Sequence, residues 1–197
     1  KLKKSKLTII ALLLSVAGFS QNHSQRPPDL KSIDSLLQKY NVSEDHAERF
    51  GKLVIQDIGG RMKPVNTFAS ELLRKVSHEN SYKGMNPDQV FLSMTQFPSA
   101  WYQVQMIYMS KGNDSIRKII GIPSDQKLAA FINFFDEKGN YKLSKYLDAA
   151  YKTANPNKFE KDFVETDKKV KLLSSAVFGS ILKIFPIPND AGNKWVS

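Results

Sequence analysis

Three histidines, no cysteine and one glycine-bearing polar turn carry most of the chemistry open to this 197-residue chain. Without cysteine there is no disulfide framework, no thiolate zinc site, no thiol redox centre and no C-x-x-C-H haem attachment. His23 falls in a polar linker, His46 on a charged helix and His78 beside Glu79 at a helix end. None lies three or four residues from another ligand-type side chain, the spacing that builds a metal face on a helix, so all three are expected to be exposed structural residues. Asp136-Glu137 is a carboxylate pair, but adjacent residues do not flank a substrate, and a polar turn is the expectation. Ser174-Ser175 lacks the glycine pattern of a nucleophile elbow, and Gly59-Gly60 is too short for a phosphate loop.

The segment Gln56-Asp57-Ile58-Gly59-Gly60-Arg61-Met62-Lys63-Pro64 is denser in useful groups. Its two glycines allow a tight turn with positive φ. Arg61 and Lys63, two apart on a strand, would project to one face. Pro64 then releases the chain from the ladder. Two readings stand: a plain hairpin with charged edges, or a docking and anion-facing hairpin built on Gln56, Asp57, Arg61 and Lys63.

The elements that would position this turn are mostly helical. Ile33, Leu36, Leu37 and Tyr40 predict an amphipathic helix over Lys31–Tyr40. Ser43 caps a second helix that Gly51 ends. Leu53–Gln56 and Arg61–Pro64 are short strands, and Asn66 or Thr67 caps a helix to about Val76 that buries Phe68, Leu72 and Val76. Asn86-Pro87 opens the next helix, with Val90, Phe91, Met94 and Phe97 as its stripe and Pro98 as its stop. Gln103–Tyr108 alternates weakly, as a strand would; Asp114 caps a short helix ending at Gly121. Lys127–Phe135 reads as an apolar helix closed by the turn Asp136–Asn140, and Ser144–Lys152 as another. Asn155-Pro156 opens the longest element, with an apolar stripe reaching Ile184, Ser174, Ser175 and Gly179 being its expected break. The fold class expected is mainly α, an α+β chain with one small β-hairpin.

Lys1, Lys3, Lys4 and Lys6 precede an apolar run from Leu7 to Phe19. As a helix these 13 residues would span ~20 Å, against ~30 Å for a bilayer core. That length suits a signal peptide, with Ala17, Gly18 and Ser20 before a cleavage point, and also a short membrane segment of a larger protein. Either places the lysines inside and the rest outside the cytoplasm. The domains expected are therefore 1–25, a hydrophobic membrane segment with a basic cytoplasmic flank, and 26–197, an extracytoplasmic helical domain. The chain begins at Lys1, which reads as trimmed or cut from something longer. The formal charge is +10, and +6 without the first four lysines. In 158–171 lysines mix with Glu160, Asp162, Glu165 and Asp167, which marks a solvated face. Nucleic acid is not an expected partner; an anionic membrane surface, an acidic partner or a propionate-bearing ligand fits better.

Leu53-Val54-Ile55-Gln56-Asp57, then Gly60 through Lys75, then Phe185-Pro186-Ile187-Pro188-Asn189-Asp190 with Trp195-Val196-Ser197, resemble the bacterial System II cytochrome c biogenesis proteins of the fused ResB–CcsA family. The stretch from Asn157 to Val170 is similar too, and the resemblance covers about residues 35–197. It implies a segment between the ResB-like and CcsA-like membrane regions, on the periplasmic side of the cytoplasmic (inner) membrane. It implies haem export and attachment to apocytochrome c by the full-length protein, and a retained membrane segment at Leu7–Phe19. The family's tryptophan-rich haem segment has no counterpart here, since Trp101 and Trp195 stand alone, and no ligand role carries over to His23, His46 or His78. The expectation is a scaffold or docking segment without catalytic residues, binding no cofactor alone, with haem belonging to the full-length protein. Its partners would be the two membrane regions, apocytochrome c and the membrane. The alternative is a secreted or membrane-surface helical binding protein with no haem role.

Overall fold

The computed structural model describes residues 29–57, 59–112 and 114–197. The hydrophobic segment read over residues 1–25, and His23, lie outside the described residues. Helix α1 (Leu30–Lys39) starts where Asp29 accepts the Ser32 N–H at 2.7 Å, and buries Ile33 and Leu37. Helix α2 (Glu44–Gly51) is capped by Ser43, with Glu44 and Asp45 in its first turn, where the helix dipole favours negative charge. Strands β1 (Val54–Gln56) and β2 (Met62–Pro64) form an antiparallel hairpin with Ile55 opposite Lys63. Helix α3 (Val65–Ser77) follows Pro64 directly, so Asn66 and Thr67 lie inside its first turn instead of capping it. Phe68, Leu72 and Val76 are buried as the spacing predicts.

Helix α4 (Pro87–Gln96) opens with a reciprocal cap: Asn86 accepts the Gln89 N–H at 2.9 Å, and Gln89 accepts the Asn86 N–H at 3.0 Å. A short helix α5 (Pro98–Trp101) seats Trp101 in the core, its indole N–H donating to Ser93 at 3.0 Å. Strand β3 (Gln105–Tyr108) follows, then α6 (Asp114–Ile120), closed by Gly121 at φ +77°.

The helix expected over Lys127–Phe135 is not formed. Leu128–Ala130 is a strand, β4, paired antiparallel with β3, and Phe131–Phe134 is a 3-10 turn. The Asn133 side chain accepts the Ala130 N–H at 2.8 Å and fixes the switch from strand to turn. Helices α7 (Ser144–Lys152) and α8 (Lys158–Val177) come next, the latter capped by the Asn157–Glu160 reciprocal pair. The long element thus stops at Val177, and Gly179 at φ +69° turns the chain, so Ile181 reaches the core from a loop. Strands β5 (Phe185–Pro186) and β6 (Trp195–Val196) make a second hairpin. The described fold is mainly helical with three small two-stranded sheets where one hairpin was expected, the β3–β4 pair being joined through α6. Among the described residues, no helix is long and apolar enough to cross a membrane.

One hydrophobic core joins these parts. Helices α3 and α4 pack together, α8 packs on both, α7 lies along α8, and α2 covers α4. Phe91 sits at the centre, with Phe68 at 5.2 Å and Phe50 at 6.0 Å between ring centroids. The β1–β2 hairpin is carried at the start of α3, with the end of α8 beside it.

Candidate functional site

Gln56 ends β1 and is only 8% exposed. Its amide donates to the carbonyls of Asn193 at 2.8 Å and Gly60 at 3.2 Å, and accepts the Trp195 N–H at 2.9 Å. Its own N–H donates to the Lys183 carbonyl at 3.0 Å. Gln56 therefore pins the β5–β6 hairpin to the β1–β2 hairpin. Buried amides are retained where such partners are present, because an unpaired one costs roughly 1–3 kcal/mol.

The turn after it is set by Asp57 and Gly60. The Asp57 carboxylate accepts the Arg61 N–H at 3.0 Å, and its N–H donates to the Arg61 carbonyl at 2.8 Å. Gly60 takes φ +80°, the left-handed region that favours glycine. The Arg61 backbone N–H, then its guanidinium and the Lys63 ammonium, hold the Asp57 carboxyl below the usual carboxylate range.

Both cations are drawn to Asp57, Arg61 at 3.4 Å and Lys63 at 3.8 Å, but their surroundings differ. The Arg61 side chain is 81% exposed, outside the strand ladder. Lys63 is 17% exposed and bonds Glu71 on α3 at 2.9 Å. That bond lowers the Glu71 carboxyl, with Lys63 and Lys75 adding charge attraction against the cost of burial. Arg61, Lys63, Glu71 and Lys75 border a cavity of about 590 Å³ floored by Phe68 and Leu172. The four residues singled out in the sequence thus divide. Gln56, Asp57 and Lys63 hold the hairpin, and Arg61 is the group it presents to solvent.

The remaining chemistry-bearing residues have local roles. His46 is exposed on α2. His78 ends α3 at φ +64° and stacks on Tyr108, ring centroids 4.0 Å apart. Asp136 accepts the N–H groups of Lys138 at 2.9 Å and Asn140 at 2.8 Å, forming a polar turn. Ser175 donates to the Leu172 carbonyl at 2.8 Å. Among the described residues, no group of three His, Asp or Glu side chains is placed to hold a metal ion.

Sequence reasoning missed two buried polar positions. Arg117, 4% exposed, donates to the carbonyls of Met109, Ser110 and Gln126, each at 3.0 Å, and so ties α6 to both sides of its loop. Asp167 is fully buried in α8, where Tyr151 donates to it at 2.6 Å and Lys171 pairs with it at 2.7 Å. Burial and the Asp167 contact push the Tyr151 phenol up to about 12. In the sequence both look like members of mixed-charge helices, and only the fold turns them inward.

No protein-family model matches the chain. Protein NrfI of Wolinella succinogenes is 31% identical to it over 200 residues, an alignment spanning 100% of this chain and 22% of NrfI. This corrects the sequence reading. The similarity found is to NrfI, and nothing in it shows a ResB–CcsA fusion, so the assignment to that fused family is withdrawn. What the comparison establishes is that this chain is similar, along its whole length, to a segment of NrfI less than a quarter of that protein.

Proposed function

We propose that this chain acts in cytochrome c maturation, as a docking segment on the outer side of the cytoplasmic membrane. The observation that carries the reading is the similarity of this chain, along its whole length, to 22% of NrfI. In this reading haem attachment is the work of other parts of the assembly, and residues 29–197 supply a rigid surface for apocytochrome c. The hairpin supports it. Gln56 and the Lys63–Glu71 pair immobilise its base, while Arg61 stands in solvent with its backbone clamped by Asp57. A cation presented on a rigid turn loses little side-chain and loop freedom on meeting an acidic partner.

The test is haem staining of c-type cytochromes in cells that depend on this protein for their maturation. Arg61→Glu should reduce mature cytochrome while the level of the variant protein stays normal. Normal maturation by Arg61→Glu would overturn the docking role of the hairpin. Normal maturation in cells lacking the protein altogether would overturn the maturation role itself.

A further inference from the structure

Helices α3 and α8 leave a second cavity, of about 630 Å³, beyond the one at the hairpin; the two share Lys75 and Leu172. Ligand sites commonly enclose ~300–1,000 Å³ with an apolar lining and a few placed polar groups. Lys75 and His78 come from one side, three residues apart at the end of α3. Glu165, Lys168, Lys169 and Leu172 come from the other, at i, i+3, i+4 and i+7 on α8.

The cations here are not equivalent. Lys168 is paired with Glu165 at 2.8 Å, Lys171 with Asp167 at 2.7 Å and Lys75 with Glu71 at 3.4 Å. Lys169 instead donates to the Tyr108 carbonyl at 2.9 Å and lies 5.1 Å from the Tyr108 ring centroid. A carbonyl and a ring face orient an ammonium without neutralising it. Burial holds the Lys169 ammonium below the usual lysine range, even with Glu165 and Asp162 drawing it upward. Burial and Lys169 hold the His78 imidazole below the usual histidine range, Glu79 opposing them, and its ring stacks on Tyr108.

We propose that the α3–α8 groove binds an anionic amphiphile, its acidic group on Lys169 and its apolar body between Leu172 and the His78 ring. The charge argument requires the acid: among the described residues Lys169 is the lining lysine that forms no close ion pair, Glu165 and Asp162 acting on it only at longer range. The apolar body follows from Leu172 and the aromatic ring of His78, which line the cavity. The site adjoins the hairpin cavity through Lys75 and Leu172, but the proposal stands whether or not the chain acts in cytochrome c maturation.

Laurate, kept below its micelle-forming concentration, is the probe, titrated into the full 197-residue chain and followed by amide NMR. Saturable shifts are expected at His78, Lys169 and Leu172. Dodecylamine, with the opposite charge, and acetate, without the chain, should not reproduce them, and added salt should weaken binding. Lys169→Gln should lower laurate affinity about tenfold or more with the melting temperature retained. If that variant does not fold, the laurate–dodecylamine comparison on the unaltered chain decides. Equal response to laurate and dodecylamine overturns the proposal, as do shifts confined to residues outside the groove. Binding to phosphatidylglycerol vesicles with no response to monomeric laurate also overturns it, and assigns these lysines to a lipid surface.

Discussion

At the hairpin end of the α3–α8 surface, Lys63 meets Glu71 at 2.9 Å and Asp57 at 3.8 Å; at the far end, Lys169 meets a backbone carbonyl at 2.9 Å. Both are lysines on the same face of the molecule, and both are largely withdrawn from water. The first sits between two carboxylates that gain from its charge, so it joins hairpin to helix. The second is desolvated with a carbonyl as its near acceptor, and Glu165 and Asp162 reach it only at longer range, so its charge is less fully met. Burial of a cation therefore does not tell structure from binding; the identity of its nearest acceptor does.

Breaking the hairpin end should have the largest effects. Gln56→Leu leaves the Asn193 carbonyl and the Trp195 N–H without their partner, and should cost about 2–3 kcal/mol in urea unfolding, with faster amide exchange at Trp195. Gly60→Val should cost about 1–2 kcal/mol by the same measurement, because Gly60 sits at φ +80° and a β-branched residue is strained there whatever the space around it. Lys63→Gln should cost roughly 1 kcal/mol, since its partner Glu71 keeps some solvent and Lys75 nearby.

The two ends should also separate by pH. Glu71 titrates lower in the folded chain than its ordinary 4.5. Its contribution is complete above that value and disappears as pH falls below it, so the cost of Lys63→Gln should shrink in acid. His78 titrates below its ordinary 6.5 when folded, so the unfolded chain takes up the proton first and stability falls as pH drops from 6.5. A His78→Phe variant should lack that upper step in a plot of urea midpoint against pH. The smallest effect on stability belongs to Arg61→Gln, within about 0.5 kcal/mol, with reduced cytochrome maturation as its readout. A drop in stability as large as that of Lys63→Gln would erase the distinction between the exposed and the inward cation.

The caps were legible because each is a local device. Ser43 and Asn86 sit one residue before helices whose first turns they satisfy, whereas the long helix, read as opening at Asn155-Pro156, begins at Lys158 under an Asn157 cap. The first hairpin was legible for the same reason, its strands being joined by a glycine turn. Leu128–Ala130 was not: Ala129, Ala130 and Phe131 have no strand-type alternation, and the partner strand that holds them lies some twenty residues back. The division among Gln56, Asp57, Arg61 and Lys63 was hidden too, because Glu71 and Trp195 become neighbours only in the fold. Lys169 was read with its acidic neighbours as a solvated face. What removes it from solvent is α3 and Tyr108, sixty residues and more away in sequence.

The Gln56–Trp195 contact joins residues 139 apart and so nearly closes the described chain on itself. The entropy lost in bringing such distant ends together grows as the logarithm of the loop length, and it must be met before the contact returns anything. Helices α3, α4 and α8 can collapse without it, so the β5–β6 hairpin is placed to dock late in folding and to be released early in unfolding. The pin then acts as a latch on folding order: the surface around Arg61 acquires its final shape only after the residues near the end of this chain have arrived.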